Sequence, residues 1–145
     1  MSKKRLHIFL VDDDADDRML FQEAMSEVDP LAKLSLADGC DMLVKLAKVE
    51  KDKPDMIFLD LNMPGLNGFE CLDEIKNKQH FGNVPVIIYS TTANPDQVKK
   101  TYIKGANLYM QKPSSYEGIK KLMNKVLTAD LFDSKAMENN LVISA

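Results

Sequence analysis

The chain has 145 residues and a formal charge of −3, so it holds one domain with one core and lacks the basic excess that nucleic-acid-binding surfaces show. Apolar residues at 45% and charged residues at 28% are the ordinary mixture of a globular protein, and no apolar run reaches the roughly 18 residues that span a bilayer. The start, Lys3-Lys4-Arg5 and then a short apolar stretch, resembles a secretory leader until Asp12-Asp13-Asp14 cut it short, so we expect a cytoplasmic protein.

Short apolar runs alternate with longer amphipathic segments, which predicts repeated βα units and a parallel sheet. The first strand is His7 to Val11, apolar almost throughout, as a strand covered on both faces must be. A helix follows in which Met19, Leu20, Ala24 and Val28 recur at helical spacing, and Pro30 ends it. Leu34 to Ala37 is a weaker strand; Met42, Leu43 and Leu46 mark the next helix, with Asp38 or Asp41 as its cap.

Met56 to Leu59 is the third strand, and Phe69, Leu72 and Ile75 line the third helix. Val86 to Tyr89 is the fourth strand; Pro95 suits the first turn of the fourth helix, which Gly105 stops. Leu108 to Met110 is the fifth strand, and Ile119, Leu122, Met123, Val126 and Leu127 give the last helix its apolar face. The expected fold is α/β, a flavodoxin-like (βα)₅ doubly wound sheet of five parallel strands over residues 5–128. Residues 129–145 form a C-terminal tail too short for an output domain.

Ligands of open parallel sheets bind at the carboxyl ends of the strands. Here those ends carry Asp12-Asp13-Asp14, then Asp60 with Leu61-Asn62-Met63-Pro64-Gly65, then Ser90-Thr91-Thr92, then Lys112-Pro113. Clustered carboxylates ionise together only beside a compensating cation, and oxygen donors that leave room for water suit Mg²⁺. With the metal held, Asp60 is a nucleophile toward phosphorus, Lys112 neutralises a phosphoryl oxygen, and the Ser90 hydroxyl donates to another. Taken singly, each residue has a plainer role as a turn former, a helix cap or a solvated charge. Their convergence on one sheet edge is what points to a site. Asp16 and Asp17 fit the dipole of the first helix and need no catalytic role. His7 and His80 fall far from this edge. Cys40 and Cys71 have no metal-ligand spacing and are expected to be free thiols.

Val11-Asp12-Asp13, Leu59 to Gly65 with Gly68, Ser90-Thr91-Thr92, Gly105-Ala106 and Lys112-Pro113 together resemble the receiver domain of bacterial two-component response regulators, in its stand-alone, chemotaxis-regulator-like form. The resemblance implies that Asp60 is the phosphoacceptor and that Asp12, Asp13, Asp60 and the backbone carbonyl of Asn62 hold Mg²⁺. It also implies that Ser90 and Tyr109 form the switch and that Lys112 is catalytic, with a cis bond to Pro113. The donor would be a histidine kinase or a phosphotransfer protein. A downstream protein would read the face of the fourth helix, fifth strand and fifth helix, including Val98, Tyr102 and Tyr109. Such a protein is a signalling phosphoacceptor that catalyses its own phosphoryl transfer and autodephosphorylation, and not an enzyme acting on another substrate.

Ser90 stands where Thr is commoner, Thr91 is bulkier than the usual Ala or Gly, and Asp14 adds an acid beside the pair. A haloacid-dehalogenase-type phosphohydrolase wants a second Asp two residues after the nucleophile, and Asn62 stands there. A nucleotide-binding flavodoxin-like domain wants a Gly-rich loop after the first strand, and none follows it. The remaining alternative is a pseudo-receiver, an interaction module that is never phosphorylated.

Overall fold

The computed structural model describes residues 5–49, 53–61, 68–77, 81 and 83–145. In chain order the elements are β1 (His7–Val11), α1 (Ala15–Val28), β2 (Lys33–Ala37), α2 (Cys40–Val49), β3 (Met56–Leu59) and α3 (Gly68–Asn77). They continue with β4 (Val86–Ser90), α4 (Pro95–Ile103), β5 (Leu108–Gln111), α5 (Tyr116–Thr128), α6 (Lys135–Glu138) and β6 (Val142–Ile143). The sheet order is β2-β1-β3-β4-β5-β6, and each of these neighbouring pairs is parallel. The order reverses at β1, so a cleft opens between the carboxyl ends of β1 and β3.

Strand alternation explains why the runs are apolar throughout. Phe9, Val11, Ile57, Leu59 and Ile88 face one layer, where they meet Leu43, Leu72, Ile75 and Tyr102 from α2, α3 and α4. Ile8, Leu10, Phe58, Ile87 and Tyr89 face the other, against Phe21 and Met25 of α1 and Leu122 and Val126 of α5. Successive side chains point to opposite faces, and both faces of β1, β3 and β4 are covered, so every position of these strands is buried, while the edge strand β2 is only partly covered. Each fully buried aliphatic or aromatic side chain here contributes roughly 2 kcal/mol of hydrophobic stabilisation.

Helix ends follow local chemistry. Asn94 caps α4 by accepting from the Asp96 and Gln97 amides, with Pro95 in the first turn. Gly105, at φ 103°, turns the chain out of that helix in a conformation that costs a side-chain-bearing residue more. Among the described residues no helix is long and apolar enough to cross a membrane.

Four expectations need correction. The buried face of α1 is Phe21, Ala24 and Met25, while Met19 and Leu20 are exposed, because the helix is rotated about its axis relative to the face that spacing suggested. The sheet has a sixth strand, since Val142 and Ile143 of the tail pair with Tyr109 and Met110. Cys40 and Cys71 form a disulfide, with Cα atoms 5.6 Å apart, because α2 and α3 bring residues distant in sequence side by side. Finally, no described peptide bond is cis, so the Lys112–Pro113 bond is trans.

Candidate functional site

Each strand that meets the cleft continues its ladder one residue past its end. The Asp12 amide donates to Ala37 O (3.0 Å), the Asp60 amide to Val11 O (2.9 Å), and the Lys112 amide to Ser90 O (2.7 Å). Three polar side chains are thereby fixed by sheet backbone at the rim. Asp12, Asp60 and Ser90 are buried, and Asp13 is exposed at the mouth. One carboxylate oxygen from each of Asp12, Asp13 and Asp60 lies within 4.8 Å of the others.

Lys112 links the set. Its Nζ lies 2.9 Å from Asp12 Oδ2, 2.8 Å from Asp17 Oδ2 and 3.4 Å from Asp60 Oδ2. Burial works to lower the lysine pKa, but hydrogen bonds to Asp17 and Asp12 and the charge of Asp60 outweigh it and hold the group above its usual value. The ammonium is therefore a permanent cation. It also lies 5.2 Å from the centre of the Tyr89 ring, whose phenol is pushed up mainly by burial.

The start of α1 is built around the same cluster. Asp14 is the N-cap, its Oδ1 accepting from the amides of Asp16 (2.9 Å) and Asp17 (3.1 Å). Its own amide donates to Asp12 Oδ1 (3.0 Å), and Arg18 Nη1 donates to Asp12 O (2.6 Å). The extra acid Asp14 is thus a structural cap. Asp17, expected only to fit the dipole of the first helix, is a direct partner of Lys112. The helix dipole by itself accounts for an acid at this position, so the sequence carries no sign of the cation opposite it.

The donors fit a hard divalent cation. Three carboxylates meet at one point, two of them buried, while the third faces solvent and leaves room for metal-bound water. Asp12, Asp17 and Asp60 share one lysine, so an added cation relieves the repulsion among the acids. Asn62, expected to add a carbonyl ligand, lies outside the described residues, as does His80. The mouth is an open cleft of about 540 Å³ lined by Asp13, Asp17, Asp60, Thr91 and Lys112 among others. Thr91, bulkier than the usual residue here, is exposed at this mouth.

Beneath Asp60 the fit is close. A Cβ at Gly68 would lie 2.5 Å from Leu61 Cα and 2.7 Å from Leu61 O, so only glycine lets α3 start against the residue after Asp60.

From Ser90 a line of contacts leads away from the rim. Ser90 Oγ accepts from the Thr92 amide (3.4 Å), and the Tyr109 hydroxyl donates to Thr92 O (2.7 Å) and accepts from Gln97 Nε2 (3.3 Å). The Tyr109 amide donates to the Tyr102 hydroxyl (3.0 Å), which itself donates to Leu141 O in the tail. Val98, Tyr102 and Tyr109 are all buried. They therefore support the α4–β5–α5 face from beneath and do not form its contact surface, which corrects the expectation. Ile103 and Leu141 are the exposed apolar residues nearest this line in sequence. His7 lies at the opposite end of β1, its Nε2 3.1 Å from Ser35 Oγ.

Residues 8–124 match the response regulator receiver domain family. The chain is 32% identical over 133 residues to the two-component response regulator ARR17 of Arabidopsis thaliana, covering 83% of this chain and 84% of that one. It is 30% identical over 125 residues to the response regulator Rcp1 of Synechocystis, covering 82% and 84% respectively. Among solved structures, the phosphorylated cyanobacterial phytochrome response regulator RcpA superposes with a TM-score of 0.77 at 28% identity, covering 90% of this chain and all of that one. The Mn²⁺-bound form of Rcp1 gives 0.74 at 25% identity, covering 86% and 96%.

Proposed function

Because the chain belongs to the response regulator receiver family, we propose that it accepts a phosphoryl group on Asp60 from the phosphohistidine of a histidine kinase or phosphotransfer protein, and signals through a partner protein. The observation that carries this reading is the placement of Asp60 in one cluster with Asp12, Asp13 and Lys112, all held by the ends of parallel strands. The catalytic set is Asp60, Lys112 and Ser90; the metal ligands are Asp12, Asp13, Asp60 and Asn62; the switch is Ser90 and Tyr109.

When bound, Mg²⁺ would neutralise charge on the phosphoryl oxygens, and the two relatives described as phosphorylated and as Mn²⁺-bound lend this support by analogy. Asp60 Oδ forms the new P–O bond while the donor's P–N bond breaks, and the freed imidazole keeps its electron pair and takes a proton. Lys112, anchored on Asp12, meets one phosphoryl oxygen. The Ser90 hydroxyl moves to donate to another, giving up its contact with the Thr92 amide. The Tyr109 hydroxyl, bound to Thr92 O, follows that segment, and the α4–β5–α5 face changes. This is a shift between two packed states, as switching by a local charge usually is. Hydrolysis of the acyl phosphate by water resets the protein. We place it in the cytoplasm, where phosphohistidine donors act, and assign it neither nucleic-acid nor membrane binding.

Intact-protein mass spectrometry after incubation with acetyl phosphate tests the reading. We expect a gain of one phosphoryl group that a chelator abolishes and that Asp60→Asn prevents. A folded, Mg²⁺-binding protein that gains no mass would instead be a pseudo-receiver.

A further inference from the structure

Lys112 has three donors and three acidic partners, and one of the three does not belong to the phosphoacceptor cluster proper. We propose that Asp17 is a positioning residue that holds the Lys112 ammonium away from Asp60 until a phosphoryl oxygen takes its place. The inference rests on Asp60 being the phosphoacceptor.

The distances set the ranking. Asp17 Oδ2 lies 2.8 Å from Nζ, whereas Asp60 Oδ2 lies 3.4 Å away, beyond the short range of a strong charge-assisted bond. The lysine therefore leans toward α1 and away from the nucleophile. The two short partners differ in kind. The Asp12 side chain is 0% exposed, and its other oxygen and its carbonyl are already engaged by the Asp14 amide and Arg18. It is a fixed anchor. The Asp17 side chain is 37% exposed, so its carboxylate is rehydrated at small cost when it lets go. It is the partner that exchanges.

Helix geometry keeps Asp17 in reach of that exchange. It is the third residue of α1, and its amide is tied to the Asp14 cap, so its position is fixed by a turn that does not depend on Lys112. It lines the same cleft as Asp60 and Lys112, on the path of an arriving phosphoryl group. A phosphoryl group on Asp60 carries more negative charge than one carboxylate and takes the lysine over. The bond lost to Asp17 then subtracts from the affinity for that group. Asp17 thus sets how readily the site charges and how long it stays charged.

Calorimetric titration of the full chain with beryllofluoride in excess Mg²⁺ tests this, because the anion mimics the phosphoryl group on the acceptor carboxylate without turnover. Asp17→Asn is expected to bind the mimic about three- to tenfold more tightly than the wild type, the range for loss of one partly exposed competing ion pair. Asp17→Glu, which restores the competing charge, is expected to return toward wild-type affinity. Asp16→Asn removes an equal charge from an exposed acid of the same cleft that is not among the partners of Lys112, and is expected to shift affinity less than twofold. Equal or weaker binding by Asp17→Asn overturns the proposal, and so does an Asp16→Asn gain as large as that of Asp17→Asn, since the effect would then be general charge. A wild type that binds Mg²⁺ but not beryllofluoride would remove the phosphoacceptor reading itself, and this one with it.

Discussion

The sheet ends in two ways on the two sides of β5. At its carboxyl end it meets a rim of charged groups held by backbone hydrogen bonds, where Lys112 Nζ gathers Asp12, Asp17 and Asp60 within 3.4 Å. Along its free edge it meets the protein's own tail, where β6 adds two residues and Tyr102 bridges the Tyr109 amide to Leu141 O. The rim is costly in isolation, since buried like charges repel and their partners cannot be removed singly. The edge is inexpensive, because it only completes hydrogen bonds a sheet edge leaves open. Chemistry resides where the structure carries strain in charge; cover resides where a few neutral contacts suffice. The line from Ser90 through Thr92 and Tyr109 joins the two.

The comparison is most easily broken by Lys112→Ala. It removes the ammonium that meets the side chains of buried Asp12 and Asp60, so we expect phosphoryl uptake from acetyl phosphate to fall by about 10²-fold, as when one charge-stabilising donor is lost. In Mg²⁺-free buffer the same variant is expected to lose about 3 kcal/mol of stability in urea unfolding, and added Mg²⁺ should recover part of it. A variant of unchanged stability and uptake would mean that the rim is not held by charge.

Gly68→Ala is next. The added methyl carbon lands against Leu61 Cα, backbone that cannot give way as a flexible side chain would, so we expect a loss of about 2 kcal/mol, read by thermal unfolding. Uptake should fall with it, because Leu61 follows Asp60 directly.

Tyr102→Phe should act on the edge alone. Losing a hydroxyl that serves two backbone groups should cost about 1 kcal/mol and speed amide exchange at residues 141–143, with phosphoryl uptake within twofold of the wild type. The phenol also has a pH signature. Burial raises its pKa from 10.0 to about 12, against a smaller opposing effect of the bond from the Tyr109 amide. A raised tyrosine favours the folded state below pH 10, and that contribution is lost as pH climbs from 10 to 12. The variant should therefore show a shallower loss of stability over that interval, and an absorbance titration should lack one phenol ionising near 12.

The same contrast explains what the amino-acid sequence disclosed. Asp12, Asp13, Asp60, Ser90 and Lys112 are legible because each ends an apolar strand or lies within two residues of its end, and parallel topology puts such ends together whatever lies between. Gly68 was legible as part of a motif, but its reason, the Leu61 backbone, is visible only in three dimensions. Asp17 was missed because one adequate explanation, the helix dipole, concealed a second. Met19 and Leu20 were misplaced on α1 because Phe21, Ala24 and Met25 offer an equally good apolar stripe, and only docking on β1 and β3 decides between them. The two-residue strand β6 has no periodicity to read, and its partner β5 lies more than thirty residues back. The Cys40–Cys71 bond spans 31 residues, a separation that topology can close and composition cannot reveal.

The central claim is that Asp60, and no other acid of the rim, carries the phosphoryl group. Reducing the phosphorylated protein with borohydride converts an acyl phosphate to the corresponding alcohol, and peptide mapping then locates it. The account predicts homoserine at position 60 alone, absent when Mg²⁺ is chelated during phosphorylation. Homoserine at Asp12, Asp13 or Asp17, or phosphate stable to borohydride on a hydroxyl residue, would contradict it.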